Sequence, residues 1–214
     1  MKPVPTLLLL GALAAPAALG QARYDAVRSN TQGFFVEGGL GGTSVSISDG
    51  DRDRETDGGG ALGVRLGYGF NRRLALYAAV GGAAIKPDDN TFEEFSGSDT
   101  YGLGNVDLGL EVNFGNPARR LVPYLNVALS GVAATFDLPG TRDELTFSGG
   151  GLTLGGGLKY HFAPGLALNG SLQGYGGTFN RLELGGEKFD DADFNDEDYR
   201  GARLGVGLTW YPGR

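Results

Sequence analysis

Near its C-terminal end the chain reads Arg-Leu-Gly-Val-Gly-Leu-Thr-Trp (residues 203–210), with an apolar side chain at every second position. A period of two is typical of a β-strand, because successive side chains of a strand point to opposite faces. One face of this segment is wholly apolar, and the other carries glycine, threonine and an arginine. A soluble sandwich turns such an apolar face inward, whereas a membrane barrel turns it outward against lipid.

The same alternation recurs along the chain and predicts eight strands, at about residues 34–47, 59–70, 74–85, 100–114, 121–136, 147–162, 166–179 and 200–211. The connections alternate between long loops (48–58, 86–99, 137–146 and 180–199) and tight turns (71–73, 115–120 and 163–165). An even strand count with short turns at one end is typical of outer-membrane barrels. We therefore predict an all-β fold, a closed eight-stranded antiparallel transmembrane β-barrel of up-and-down topology. Both chain termini are then expected on the periplasmic, short-turn side.

Two strands show an irregular apolar phase. In the first, Phe34, Val36 and Leu40 give one phase, whereas Val45 and Ile47 give the other. This change predicts a β-bulge near Gly41 and Gly42. The fourth strand is expected to shift phase in the same way near Gly104.

A soluble, lipocalin-like barrel is the alternative, because periodicity alone does not distinguish the two folds. Membrane insertion is favoured by the abundance of glycine, 40 residues in 214, and by two groups of aromatic residues. Such girdles bracket an apolar band of ~25 Å in outer-membrane barrels. We expect one girdle at the short-turn end, from Phe34, Phe35, Tyr68, Phe70, Phe114, Tyr124, Tyr160, Phe162, Trp210 and Tyr211, and one at the long-loop end, from Tyr101, Phe136, Phe147, Tyr175 and Phe179.

The first twenty residues form a predicted signal peptide (1–20), with Lys2, an apolar run and a small-residue cleavage site at Ala18-Leu19-Gly20. The run is shorter than the ~20 residues that a membrane-spanning helix needs. We expect an N-terminal periplasmic segment (21–33) and an outer-membrane barrel domain (34–214). The protein is then located in the outer membrane of a Gram-negative-type bacterium.

With these features the chain resembles the small outer-membrane β-barrel family that includes outer membrane protein X and the transmembrane domain of outer membrane protein A. The resemblance rests on the eight-strand rhythm, the segment 157–162 before a tight turn, and the closing strand 203–211. Members of the family usually end on an aromatic residue that assists barrel assembly, whereas here Pro212, Gly213 and Arg214 follow the aromatic pair. The resemblance implies outer-membrane lipid, lipopolysaccharide and the barrel-assembly machinery as partners, and a monomer.

The face opposite the apolar one carries six charged side chains, which we predict to lie inside the barrel: Glu37, Arg65, Asp107, Glu111, Lys159 and Arg203. An eight-stranded barrel is only wide enough for side chains to fill it, so buried charges there must pair. Their balanced signs favour a polar network that plugs the interior. The alternative is the selectivity ring of a narrow pore.

Charge outside the strands is sorted by position. The long loops hold 21 of the 25 acidic residues and sum to −15, whereas the tight turns hold Arg72, Arg73, Arg119 and Arg120. This acidic balance argues against nucleic acid as a partner. The loop carboxylates suit simple solvation, bridging to lipopolysaccharide through divalent cations, or binding of a cationic partner. Segments 49–60 and 191–202 lack the glycine and glutamate that a calcium-binding loop requires, so no specific metal site is predicted.

No catalytic or cofactor-binding residue is predicted. His161 is the only histidine, and it lies next to a tight turn on the predicted periplasmic side. The glycine pairs within strands precede no helix and are therefore not nucleotide loops. We predict a non-enzymatic outer-membrane barrel with a plugged polar interior and a structural or surface-interaction role. A narrow porin-like channel for ions or small solutes is the second possibility.

Overall fold

The computed structural model describes residues 30–49, 52–53, 56–86, 100–114, 120–137, 144–184, 187–190 and 197–212. Eight long strands follow in chain order: β1 (Gly33–Asp49), β2 (Asp57–Gly69), β3 (Leu74–Lys86), β4 (Tyr101–Asn113), β5 (Leu121–Asp137), β6 (Glu144–Ala163), β7 (Leu166–Leu184) and β8 (Glu197–Trp210). Two short strands, Arg52–Asp53 and Glu187–Asp190, pair antiparallel with the ends of β1 and β7. None of the described residues belongs to a helix with the length and apolar character needed to span a bilayer.

The sheet closes on itself. Each long strand pairs antiparallel with its neighbour in the chain, and β8 also pairs with β1. Glu37 of β1 thus lies opposite Arg65 of β2 on one side and Thr209 of β8 on the other. Closure satisfies the backbone hydrogen bonds that an open edge would expose to lipid. The predicted closed up-and-down barrel of eight strands is confirmed.

The predicted strands match the observed ones in order, and the described tight turns at 71–73 and 164–165 lie at one end of the barrel. β6 and β7 are joined through Pro164 and Gly165, and Gly165 has a φ of 74°. Glycine adopts this left-handed conformation without the steric cost that a side chain brings. The strands run further towards the long loops than the alternation indicated, since β7 reaches Leu184 instead of residue 179.

The barrel has apolar side chains outside and charged ones inside. The side chain of Leu62 is 71 % exposed and that of Leu154 is 62 % exposed, whereas Glu111 and Lys159 are 0 % exposed. This arrangement inverts that of a soluble barrel, in which leucines fill the core. The outer surface therefore suits contact with hydrocarbon, and the lipocalin-like alternative is excluded.

The bulge expected near Gly41 and Gly42 is absent, and so is the phase shift near Gly104. β1 keeps one continuous register with both β2 and β8, and β4 does the same with β3 and β5. The apolar residues change face along these strands because the barrel interior becomes apolar near the long loops. Val45 and Leu103 point inward there and are buried in an apolar cluster. A register shift occurs instead in the β6–β7 pair, where Ser148 lies opposite Arg181 and Gly149 opposite Phe179.

Only one of the two expected aromatic girdles is present in the described residues. Exposed aromatic side chains collect at the short-turn end: Phe34, Tyr68, Phe70, Phe114, Tyr160, Phe162 and Trp210. Phe35, Tyr124 and Tyr211, which were assigned to this girdle, are buried inside the barrel. The prediction of a second girdle at the long-loop end is wrong. Its expected members point inward and are buried, with Phe147 packed against them: Tyr101, Phe136, Tyr175 and Phe179.

Candidate functional site in the barrel interior

Four charged side chains meet inside the barrel near the short-turn end, and we call them the inner ion network: Glu37, Arg65, Glu111 and Lys159. Arg65 lies between two carboxylates, with Nη2 2.8 Å from Oε2 of Glu37 and Nη1 3.1 Å from Oε2 of Glu111. Nζ of Lys159 donates to Oε1 of Glu111 at 2.5 Å. Two acids thus neutralise two bases, which a low-dielectric interior requires.

Neutral donors complete the coordination of Glu37. The Thr209 hydroxyl donates to its Oε2 at 2.6 Å, and Nδ2 of Asn169 donates to its Oε1 at 2.8 Å. The Tyr124 hydroxyl donates in turn to Oδ1 of Asn169 at 3.0 Å. Thr209 of β8 and Asn169 of β7 thus hold the Glu37 carboxylate of β1, and Tyr124 of β5 extends the network across the interior.

Aromatic rings enclose the two cations of the network. The Arg65 guanidinium carbon lies 5.0 Å from the ring centroid of Tyr77 and 5.6 Å from that of Phe35. Lys159 Nζ lies 4.9 Å from the ring centroid of Tyr124. A desolvated cation–π contact contributes up to about 2 kcal/mol, so the rings help to offset the cost of burying these charges.

The two remaining predicted charges form a separate pair further towards the long loops. Nη1 of Arg203 lies 3.4 Å from Oδ2 of Asp107, and Nδ2 of Asn105 donates to the same oxygen at 2.9 Å. The Arg203 guanidinium stacks 4.4 Å from the ring centroid of Tyr175. The structure therefore brings all six predicted residues inside the barrel, but as a network of four and a pair.

An apolar cluster, the outer cap, occupies the interior beyond this pair. It consists of Val45, Ile85, Tyr101, Leu103, Val132, Ala134, Phe136, Tyr175, Phe179 and Tyr199. Its rings pack face to face and obliquely, with centroids 4.7 Å apart for Tyr101 and Phe136 and 4.7 Å apart for Phe179 and Tyr199. The interior is thus polar at the short-turn end and apolar at the other.

A family profile described as "Outer membrane protein beta-barrel domain" matches residues 6–211. The chain belongs to this outer-membrane β-barrel family. Neisserial surface protein A has a similar solved structure, with a TM-score of 0.55, 17 % identity, and coverage of 84 % of this chain and 97 % of that one. Outer membrane protein OprG from Pseudomonas aeruginosa gives a TM-score of 0.52 and 13 % identity over 85 % of this chain and 97 % of that one. At these identities the likeness is one of fold. The comparison with curated proteins gives no match.

Glycine in this outer-membrane barrel has a specific packing role. Inward aromatic residues lie directly opposite glycines on adjacent strands, as in the pairs Phe35–Gly67, Tyr77–Gly109, Tyr124–Gly157, Tyr175–Gly201 and Tyr199–Gly177. A Cβ at Gly109 would lie 2.6 Å from the Tyr77 ring, and one at Gly157 would lie 2.8 Å from the Tyr124 ring. Each ring therefore occupies the space that a side chain on the partner strand would fill.

Sequence reasoning missed the outer cap and these aromatic–glycine pairs. The signal for the cap was the apolar phase change at Val45 and Leu103, which was interpreted as an irregularity of the strand. His161 lies inside the barrel near the short-turn end, as its phase indicated, with its ring centroid 5.7 Å from that of Tyr211. Among the described residues no group of three potential metal ligands occurs, and most of the acidic loop segments lie outside them.

Proposed function

We propose that this outer-membrane barrel is a closed protein with a structural or surface-interaction role, and that the inner ion network is its plug. The observation that supports this is the pairing of Arg65 with Glu37 and Glu111 across a barrel of eight strands. An ion that crosses this layer must separate buried, hydrogen-bonded charges, which is costly. The outer cap adds a second, apolar layer that a hydrated ion must also cross.

The proposed orientation places both termini and the tight turns in the periplasm. It is supported by the exposed arginines of the turns, Arg72, Arg73 and Arg120, which lie beside the aromatic girdle. The acidic loops then face the cell exterior, where they contact water or bridge to lipopolysaccharide through divalent cations. We also propose that the signal peptide 1–20 directs export and that the barrel-assembly machinery inserts the strands as a monomer.

We propose no catalytic activity. His161, the chain's only histidine, is buried beneath Tyr211 at the end away from the long loops. Purified barrel should therefore leave peptide and lipid substrates unchanged. Turnover that is abolished by His161→Gln, with the fold retained, would contradict this proposal.

A narrow channel is the second candidate, and one observation favours it. Polar residues such as Asn105, Ser171 and Gln173 line an internal cavity between the plug and the outer cap. A channel requires both layers to open at the same time. Single-channel recording in planar bilayers separates the candidates, because a plugged barrel gives no steady current and a channel gives a stable unitary conductance.

A further inference from the structure

Exposed arginines cluster on one side of the short-turn end, and we call them the basic patch: Arg72, Arg73 and Arg120. Arg72 and Arg73 belong to the turn between β2 and β3, and Arg120 directly precedes β5. β4 ends between these two positions, because the N–H of Asn113 donates to the carbonyl of Arg73 at 2.6 Å and that of Phe114 donates to β5. Among the described residues at this end, no exposed aspartate or glutamate accompanies the arginines.

The backbone of the basic patch is anchored to the barrel. The side-chain oxygen of Asn71 accepts hydrogen bonds from two backbone N–H groups of its turn, at 2.8 and 2.9 Å. The carbonyl of Arg72 accepts from the Thr31 hydroxyl at 3.1 Å. The carbonyl of Arg120 accepts from a backbone N–H of β6 at 2.7 Å. The three arginine side chains therefore project from fixed points.

The basic patch lies at the edge of the apolar outer surface. Phe70 directly precedes the first turn, Phe114 follows β4, and both side chains are exposed. The exposed ring of Tyr68 packs edge-on against that of Phe70, with centroids 5.6 Å apart. Aromatic side chains of membrane proteins collect at the level of the lipid headgroups. The adjoining arginines are therefore at the depth of the lipid phosphates.

The chemistry of the patch defines the class of ligand. A guanidinium group is always charged, and its paired N–H groups match the oxygens of a phosphate. In a zwitterionic phospholipid the phosphate is balanced by a cation of the same headgroup, whereas in an anionic phospholipid it is not. Arginines without an exposed carboxylate beside them favour the anionic lipid. The exposed rings favour a lipid over a dissolved polyanion, because only acyl chains cover them.

We propose that the basic patch, with the rings of Phe70 and Phe114, is a binding site for the headgroup of an anionic phospholipid. The guanidinium groups bind the phosphate, and the rings contact the glycerol and the adjoining part of the acyl chains. In the proposed orientation this lipid belongs to the periplasmic leaflet. The site lies outside the barrel, so it is independent of whether the interior conducts.

The test compares the lipid at two points of the short-turn end. Trp210, the only tryptophan of the chain, is exposed on β8, which lies four strands from β4 in either direction around the barrel. It reports the lipid on the side opposite the patch. Trp210→Phe combined with Phe114→Trp moves the reporter beside the patch. Both proteins are folded into phosphatidylcholine vesicles that contain a small fraction of brominated phosphatidylglycerol, which quenches tryptophan fluorescence on contact.

We expect phosphatidylglycerol to be enriched about fivefold or more at position 114 relative to position 210. This is the preference that one basic side chain near an anionic surface contributes. Because both leaflets of the vesicles contain this lipid, the result does not depend on the orientation of the barrel.

Removal of the charges links the enrichment to the patch. Arg72→Gln, Arg73→Gln and Arg120→Gln, introduced together, should abolish the difference between the two reporters. Arg200→Gln is the matched control, because it removes an exposed arginine at the long-loop end, and it should leave the difference unchanged.

Salt tests the same link without a change to the patch. Raising NaCl from about 0.1 M to about 1 M shortens the screening length from about 10 Å to about 3 Å, and should reduce the enrichment at position 114.

Equal quenching at the two positions would overturn the proposal, and so would an enrichment that persists both in the triple variant and in high salt. Peptidoglycan sacculi provide the alternative polyanion. If the barrel in phosphatidylcholine nanodiscs binds sacculi through the three arginines, and position 114 shows no enrichment of phosphatidylglycerol, the patch binds an acidic wall polymer and the lipid proposal is wrong.

Discussion

At the scale of single residues, the plug consists of buried charges. No solvent reaches them, so water does not replace a charged partner that is lost. Glu111 and Lys159 are both fully buried and contact each other directly. Removal of one member of such a pair leaves an uncompensated charge, whereas removal of both does not. The energetic coupling between these two residues is therefore the property that a plug requires.

We predict that Glu111→Gln and Lys159→Met each lower the free energy of unfolding by ~3–5 kcal/mol, and that the double variant recovers much of this loss. Reversible urea unfolding in lipid vesicles measures the free energy of unfolding of the wild-type protein, of each single variant and of the double variant. Glu111→Gln combined with Arg203→Met is the control, because Arg203 belongs to the separate outer pair and its effect should be additive. Additive losses for Glu111 and Lys159 as well would show that the two charges act independently.

The second residue-scale prediction concerns the lipid face. Leu154 is exposed on the outside of β6 near the middle of the strand. Leu154→Arg should cost ~2–4 kcal/mol of unfolding free energy in a bilayer, whereas Leu121→Arg at the short-turn end should cost ~0–1 kcal/mol. The same vesicle-based unfolding experiment compares them. Equal, small costs at both positions would mean that the apolar face does not contact hydrocarbon.

At the scale of strands, the aromatic–glycine pairs fix how neighbouring strands pack. Gly157→Ala places a methyl group against the Tyr124 ring and the backbone of β7, and overpacking of this kind costs ~1–3 kcal/mol. Gly170→Ala on the adjacent strand faces lipid with no atom within 4 Å, so its effect on unfolding should be neutral or stabilising. If the Gly157→Ala variant is as stable as the Gly170→Ala variant, then Gly157 does not have the proposed packing role.

Strand order, closure and the inward position of the six charges could be predicted from the sequence, because period-two alternation depends only on backbone geometry. Which inward residues meet could not, because contacts across the barrel depend on register and shear. Asp107 and Glu111 lie on the same face of the same strand, yet their partners differ. Asp107 pairs with Arg203, whereas Glu111 pairs with both Lys159 and Arg65.

The outer cap was not predicted, because a single polar interior was expected from end to end, although the phase change at Val45 and Leu103 was a signal for it. An inward valine at position 45 then implied a strand irregularity, and inward rings such as Tyr101 implied a lipid-facing girdle. Both errors have one cause: the interior changes from polar to apolar along the barrel axis.

At the scale of the whole molecule, the proposed orientation makes a direct prediction. Protease added to intact cells should cleave between β7 and β8, within residues 185–196, because this connection is expected outside the cell. The turn 115–120 should be cleaved only after the outer membrane is permeabilised, and it serves as the internal control. If the turn is cleaved in intact cells and the loop is protected, the orientation in the membrane is opposite to the proposed one.

The proposed closure of the barrel is tested most directly by single-channel recording of the wild-type protein in a planar bilayer. We predict no steady unitary conductance from the wild-type barrel, because an ion must cross both the inner ion network and the outer cap. A stable wild-type conductance, with an ion selectivity that Lys159→Met shifts and Glu111→Gln shifts by a separate amount, would contradict the plug and identify the interior as a pore.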